Sequence, residues 1–97
     1  MIDLYKIDKI IHEKGRLSIM TLLASRSSWS FQDMKDQLKM SDGNLITHLR
    51  SLQKAGYLDK KKELKGRKVT YYFITSSGKK SFNQSLKILE QIVNQSE

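Results

Sequence analysis

Leu45, Leu49 and Leu52 recur at i, i+4 and i+7, a spacing that lines all three along one face of a helix. Ser41 stands just before that stripe, where a hydroxyl can cap an orphan backbone N–H of the first turn. Asp42 adds negative charge at the positive end of the helix dipole, and Gly56 sits where a left-handed residue ends a helix. The pattern predicts a helix over 42–55. Its other face carries Asn44, Thr47, Arg50, Ser51 and Lys54: short hydrogen-bonding groups and cations, with no acid after the first turn.

The same periodicity recurs on both sides. Leu4, Ile7, Ile10 and Ile11 predict a short amphipathic helix over 3–12, with a break or bend near Gly15. Leu17, Met20 and Leu23, flanked by Ile19, Leu22 and Ala24, predict a broad buried helix face over 14–25. Residues 26–30 read as a polar connection interrupted by Trp29. Ser30 with Asp33 resembles a capping box, so a helix is expected from Phe31 to Leu38 or Lys39, with Phe31, Met34 and Leu38 inward. Residues 40–43 then turn the chain into 42–55, and two short helices joined in this way form a helix-turn-helix.

After Gly56 the period changes from helical to alternating. An extended run over 57–63, a turn over 64–68 containing Gly66, and the β-branched and aromatic run VTYYFIT over 69–75 predict a hairpin. Thr70, Tyr72 and Ile74 share one face and are expected to point to the core. Thr75 or Ser76 caps a last helix reaching about Val93, in which Phe82, Leu86, Leu89 and Val93 step by 4, 3 and 4, the seam of a coiled coil. Ile88 and Ile92 widen it. One domain over 1–97 is expected, mostly helical with a small β-hairpin (α+β).

Charge sharpens this picture. The net charge is +8, which favours a polyanion such as nucleic acid as partner. Lys60, Lys61, Lys62, Lys65, Arg67 and Lys68 place six of the 18 cations on the hairpin, against one acid, Glu63. Cysteine is absent, which excludes disulfides and thiolate metal sites. No cofactor is expected, and with two histidines and no carboxylate cluster no metal either. His48 bonds to backbone within the domain or borders a phosphate, and His12 is structural. No nucleophile-base-orienter set and no glycine-rich phosphate loop occurs, so no catalytic constellation is present and the protein is not expected to be an enzyme. No apolar run approaches the roughly 18 residues of a membrane span, and the start of the chain does not read as a signal peptide; a cytoplasmic location is expected.

The order of elements, with IHEKGRLSIMTLL at 11–23, SFQDMKDQLKMSDGNLITHLRSLQKAGYL at 30–58 and VTYYFITSSGKKSF at 69–82, resembles the winged helix-turn-helix transcriptional regulators of the MarR/ArsR-like superfamily. The likeness is nearest to small stand-alone members with an IHxxxRLxIL opening and a DGNLxxHLxxLxxAGY recognition helix. Two departures stand out: Met20 at a position usually isoleucine or leucine, and Ile46 where ArsR-type recognition helices often carry serine, which removes Ile46 from the expected DNA contacts.

The resemblance implies double-stranded DNA as partner, the helix 42–55 in the major groove and the basic wing 60–68 on the minor groove or backbone. Asn44 and Thr47 are the expected base readers. Arg50, Ser51 and Lys54 are expected on phosphates, and Lys62, Lys65, Arg67 and Lys68 on phosphates or the minor groove, with Arg67 at the wing tip entering the minor groove. Leu4, Ile7, Ile11, Leu86, Leu89, Ile92 and Val93 are the expected dimer contacts. A two-fold dimer spaces its recognition helices about 34 Å apart and matches a pseudo-palindromic operator. The resemblance further implies a repressor. The alternative is a winged-helix protein-interaction module without specific DNA binding. A chain of this length leaves little room for an effector pocket outside the dimer interface.

Overall fold

The computed structural model describes residues 8–95. The elements, in chain order, are α1 (Lys14–Ser25), β1 (Trp29–Ser30), α2 (Phe31–Leu38), α3 (Asp42–Lys54), β2 (Leu58–Leu64), β3 (Lys68–Ile74) and α4 (Ser76–Gln95). Leu45, Leu49 and Leu52 of α3 are at most 2% exposed and meet Ile19, Met20 and Leu23 of α1 and Met34 of α2. Each fully buried side chain of this kind contributes roughly 1.5–3 kcal/mol. Leu58 and Tyr72 close the core from the sheet and Phe82 from α4.

The helix ends form as their local chemistry dictates. Ser41 Oγ accepts from the Asn44 N–H at 3.2 Å, and Ser30 Oγ accepts from the Asp33 N–H at 3.1 Å. The Asp33 carboxylate turns outward to Arg26, at 3.3 Å. At the end of α3, Gly56 takes φ +83°. Its N–H donates to Gln53 O and the next N–H, of Tyr57, donates to Leu52 O, the paired bonds of a Schellman cap. Thr75 is the cap of α4: its Oγ1 accepts from the Gly78 N–H at 3.0 Å.

The three strands are antiparallel in the order β1-β3-β2. Leu58 faces Ile74, Lys60 faces Tyr72 and Lys62 faces Thr70, so these six side chains share one sheet face. Tyr72 is buried and Ile74 packs on the core, as their alternation predicts. Trp29 pairs with Tyr72 and Ser30 with Tyr71. The expected polar connection at 26–30 therefore contains a short third strand, held by Trp29 Nε1 donating to Leu22 O at 2.6 Å.

Three expectations need correction. Residues 9–12 form a turn, followed by a bend at residue 13, and are not part of a helix, because the Asp8 carboxylate accepts from the Ile10 N–H at 2.9 Å and closes the turn locally. Residues 3–7, the rest of that predicted helix, lie outside the described residues. Gly15 is no break: it lies in the first turn of α1 and is buried. A Cβ there would stand 2.7 Å from His48 Nε2, so glycine is what lets α1 and α3 approach. Ile11, expected at a dimer contact, is 0% exposed within the single chain and belongs to its core.

A set of polar contacts ties the end of α3 to α4. Thr75 Oγ1 also donates to Gly56 O at 2.6 Å, and the Thr75 N–H donates to Tyr57 O at 3.1 Å. Gly78 is pressed against this junction: a Cβ there would lie 2.0 Å from Tyr57 O. The Asp8 carboxylate accepts from the Tyr57 hydroxyl and from the Ser81 hydroxyl at 2.8 Å. Burial pushes this carboxyl up, but the bonds from Tyr57, Ser81 and the Ile10 and Ile11 amides outweigh it and hold it below the usual value. The same bond, and then burial, raise the Tyr57 hydroxyl.

Candidate nucleic-acid interface

Burying the leucine stripe turns the opposite side of α3 outward. Asn44, Thr47, Arg50 and Lys54 are exposed and Ser51 is half-buried. Thr47 Oγ1 donates to Gly43 O at 2.8 Å and Ser51 Oγ to Thr47 O at 3.2 Å. Each hydroxyl thus keeps lone pairs free to accept from a ligand. Asp42 is the sole acid of α3, and Lys35 neutralises it at 2.9 Å.

The β2–β3 hairpin stands beside this face. Lys60 and Lys62 share the sheet face of Thr70 and Tyr72. Arg50 acts electrostatically on the Tyr72 hydroxyl: burial raises that group and the guanidinium opposes the rise. A groove of about 490 Å³ runs between α3 and the wing, with Ile46 on one side and Arg67, Lys68 and Thr70 on the other. The start of α2 closes its end through Ser30 and Gln32. Gly66 takes φ +77° at the hairpin tip, the left-handed conformation a tight turn needs.

The wing cations are not equivalent. Glu63 engages Lys61 at 3.1 Å and Lys65 at 3.7 Å, and the Lys65 ammonium lies 5.2 Å from the Tyr71 ring centroid. These groups occupy the sheet face turned away from Tyr72. Among the described residues, Arg50, Lys54, Lys60, Lys62, Arg67 and Lys68 form no ion pair. Asn44, Thr47, Arg50, Ser51 and Lys54 lie on the side of α3 away from its buried leucines. Arg50 reaches the Tyr72 hydroxyl electrostatically, and Lys62 shares the sheet face of Tyr72. Arg67 and Lys68 line the groove with Ile46, whereas Lys65 lies beside Tyr71 and Glu63. Gln32 lines the groove without having been singled out by sequence, and Thr70, expected to point to the core, lines it too. Lys60 is expected on the basic wing; strand alternation, read from Tyr72, is what assigns it with Lys62 to this face and Lys61 to the other.

His48 is half-buried at the α1–α3 crossing. Its Nδ1 lies 3.5 Å from an Arg16 nitrogen and 3.6 Å from Glu13 Oε2. Its contacts are with side chains of α1's N-terminus, not with backbone. Glu13 caps α1, and the Gly15 and Arg16 amides are the main reason its carboxyl falls below the usual value.

Helix α4 supplies a second exposed surface. Phe82 and Ser85 are buried, whereas Leu86 is 44% and Val93 63% exposed; Ile88, Leu89 and Ile92 are half-buried. Leu4 and Ile7, expected beside them, lie outside the described residues. No helix among the described residues is long and apolar enough to cross a membrane.

A helix-turn-helix, a two-stranded basic hairpin beside its second helix, and a small sheet closed by β1 together define a winged helix. The chain belongs to the winged helix DNA-binding domain family, whose sequence model matches residues 16–93. It is 36% identical over 75 residues to an uncharacterized protein of Methanocaldococcus jannaschii, covering 76% of this chain and 82% of that one. Among solved structures it resembles a transcriptional regulator homologue of Pyrococcus horikoshii OT3 with TM-score 0.92 and 28% identity, over 100% of this chain and 99% of that chain. A putative MarR-family transcriptional regulator of Porphyromonas gingivalis shares the fold with TM-score 0.69 at 24% identity, over 89% of this chain and 80% of the other.

Proposed function

We propose that this protein is a homodimeric, sequence-specific transcriptional repressor that acts by occluding a promoter. Helix α3 enters the major groove, with Asn44 and Thr47 on base edges, since the first turns of a recognition helix lie deepest. Arg50, Ser51 and Lys54 hold phosphates. Lys62, Lys65, Arg67 and Lys68 serve the wing, Arg67 foremost and Lys65 least, because Glu63 already engages it. The observation that carries this reading is the acid-free exposed face of α3 flanked by unpaired wing cations.

The exposed apolar surface of Leu86 and Val93, with Leu89 and Ile92 beside it, supports a dimer through α4. A two-fold pair then reads half-sites about 34 Å apart. Selection of duplexes from a random pool, followed by titration at several salt concentrations, tests the reading. Arg67→Ala is expected to weaken every duplex and to flatten the salt slope by about one. Asn44→Ala or Thr47→Ala is expected to cost about 1–3 kcal/mol on the selected site and much less on a scrambled one. Binding that ignores salt, or the same loss on both duplexes, would leave the protein-interaction reading in its place.

A further inference from the structure

Alternation gives the wing two unlike faces. On the face shared with Tyr72, the facing pairs run Lys60–Tyr72, Lys62–Thr70 and Leu64–Lys68 out to the tip. Leu64 ends β2 and is 78% exposed, the most exposed large apolar side chain among the described residues. Only residues 65–67 join the two strands, and the Lys65 N–H donates to Arg67 O at 3.0 Å. The tip is therefore narrow, with Leu64 at its edge.

The surroundings of Leu64 are cationic. Lys68 faces it across the hairpin and Lys62 precedes it on the same face. Neither these two nor Arg67 forms an ion pair among the described residues. Glu63 turns to the opposite face, where it holds Lys61 and Lys65. A lone exposed leucine is ordinary on a protein surface, but one flanked by unpaired cations selects its partner. An apolar protein surface would bury those charges without counter-charges, which is costly. The side chain is also too small to anchor a membrane. The minor groove of a duplex meets both needs: its walls are deoxyribose C–H faces and its rims are two rows of phosphates. Apolar side chains are known to enter it.

We propose that Leu64 enters the minor groove of the bound duplex and packs on its deoxyribose walls, with Arg67 beside it and Lys62 and Lys68 on the flanking phosphates. This rests on the DNA-binding reading and deepens it. The N2 amino group of a G·C pair projects from the floor of that groove into the space Leu64 occupies, so the wing discriminates against it. The contact is uncharged and releases no counterion. Leu64 thus adds affinity that salt does not erode, unlike Arg67.

Duplex titrations of the full chain at several salt concentrations test this. Leu64→Ala is expected to weaken the selected duplex about three- to tenfold at each salt concentration, with the salt slope of wild type. Leu64→Met, which keeps the apolar volume, is expected to recover most of the loss. Placed in turn at each pair flanking the α3 contacts, G·C is compared with inosine·cytosine, which lacks only the N2 amino group. At the pair under the wing, wild type is expected to bind the G·C duplex about three- to tenfold more weakly, and Leu64→Ala to bind the two alike. Leu64→Ala binding as wild type does, or no inosine–guanine difference at any flanking pair, overturns the proposal and leaves DNA binding standing. Leu64-dependent self-association on sizing, or Leu64-dependent binding to phosphatidylserine vesicles, assigns the side chain elsewhere and also overturns it. Wild type that binds no duplex, or binds without salt dependence, removes the DNA reading and this one with it.

Discussion

Helix α3 hides three leucines and shows solvent asparagine, threonine, arginine and lysine. The distal half of α4 does the reverse, leaving Leu86 and Val93 exposed with no acidic or basic stripe to replace them. Both helices carry an apolar repeat of similar strength in sequence. The difference lies in what surrounds them. Helix α3 crosses α1 and α2 and backs onto Leu58 of β2, whereas α4 leaves the core after Phe82 and Ser85. An exposed polar face without acids answers to a polyanion, and an exposed apolar row answers to another apolar surface.

The largest effect that can test this contrast is on stability. Leu49→Ala should destabilise the fold by about 2–5 kcal/mol, because the removed methyls leave a cavity in a packed core. Leu86→Ser should cost under about 0.5 kcal/mol when unfolding is followed below the concentration at which dimers form. The same change should abolish dimers on sizing. A Leu86→Ser protein that still elutes as a dimer removes α4 from the interface.

The next effect contrasts two helical glycines. Gly78→Ala sets a Cβ against the Tyr57 carbonyl, where no flexible side chain can yield, and should cost about 1–3 kcal/mol or more in denaturant unfolding. Gly43→Ala meets nothing within 4 Å and should stabilise α3 by up to about 1 kcal/mol. Equal effects of the two would mean that α4 does not seat on the end of α3 as described.

A smaller effect separates neighbours on the wing. Lys60→Ala should lower duplex affinity and reduce the salt slope by about one. Lys61→Ala should change neither, since it lies on the far sheet face and is paired with Glu63. Equivalent losses would show that the wing meets DNA edge-on, with both faces in contact.

The smallest effect is expected from pH. The Asp8 carboxyl is lower in the folded protein than its ordinary value of 3.8. Its contribution is therefore complete above that value and lost as pH falls through the lower folded-state value. Glu13 is shifted in the same direction, so wild type alone does not isolate Asp8. The stability gap between wild type and Asp8→Asn should be constant near neutrality and narrow as pH falls below about 3.8. A gap unchanged in acid would mean that the clasp on Tyr57 and Ser81 does not depend on the carboxylate charge.

Much of this protein was legible before folding. Ser30, Ser41 and Gly56 mark the ends of α2 and α3, because caps and left-handed stops act within one helical turn. The leucine stripe of α3 and the alternation of 69–75 are equally local, and the acid-free face and cationic wing follow from them. Ile11 was not legible: its spacing fits a dimer face as well as a core. Neither was β1, whose two residues form a strand only because Tyr71 and Tyr72 arrive beside them. Gly15 read as a break because nothing near it in sequence announces His48. The pairing of Lys61 and Lys65 with Glu63 on the far face required the strand register.

Thus the chain's own order of residues determined where helices begin and end, which side of each is apolar, and where positive charge gathers. Those properties depend on neighbours within about four positions along a helix or two along a strand. Only the tertiary structure decided that Asp8 clasps Tyr57 and Ser81, 49 and 73 positions away. It alone decided that Ile11 is interior. Contacts between distant segments depend on how whole elements pack, and no local period encodes that.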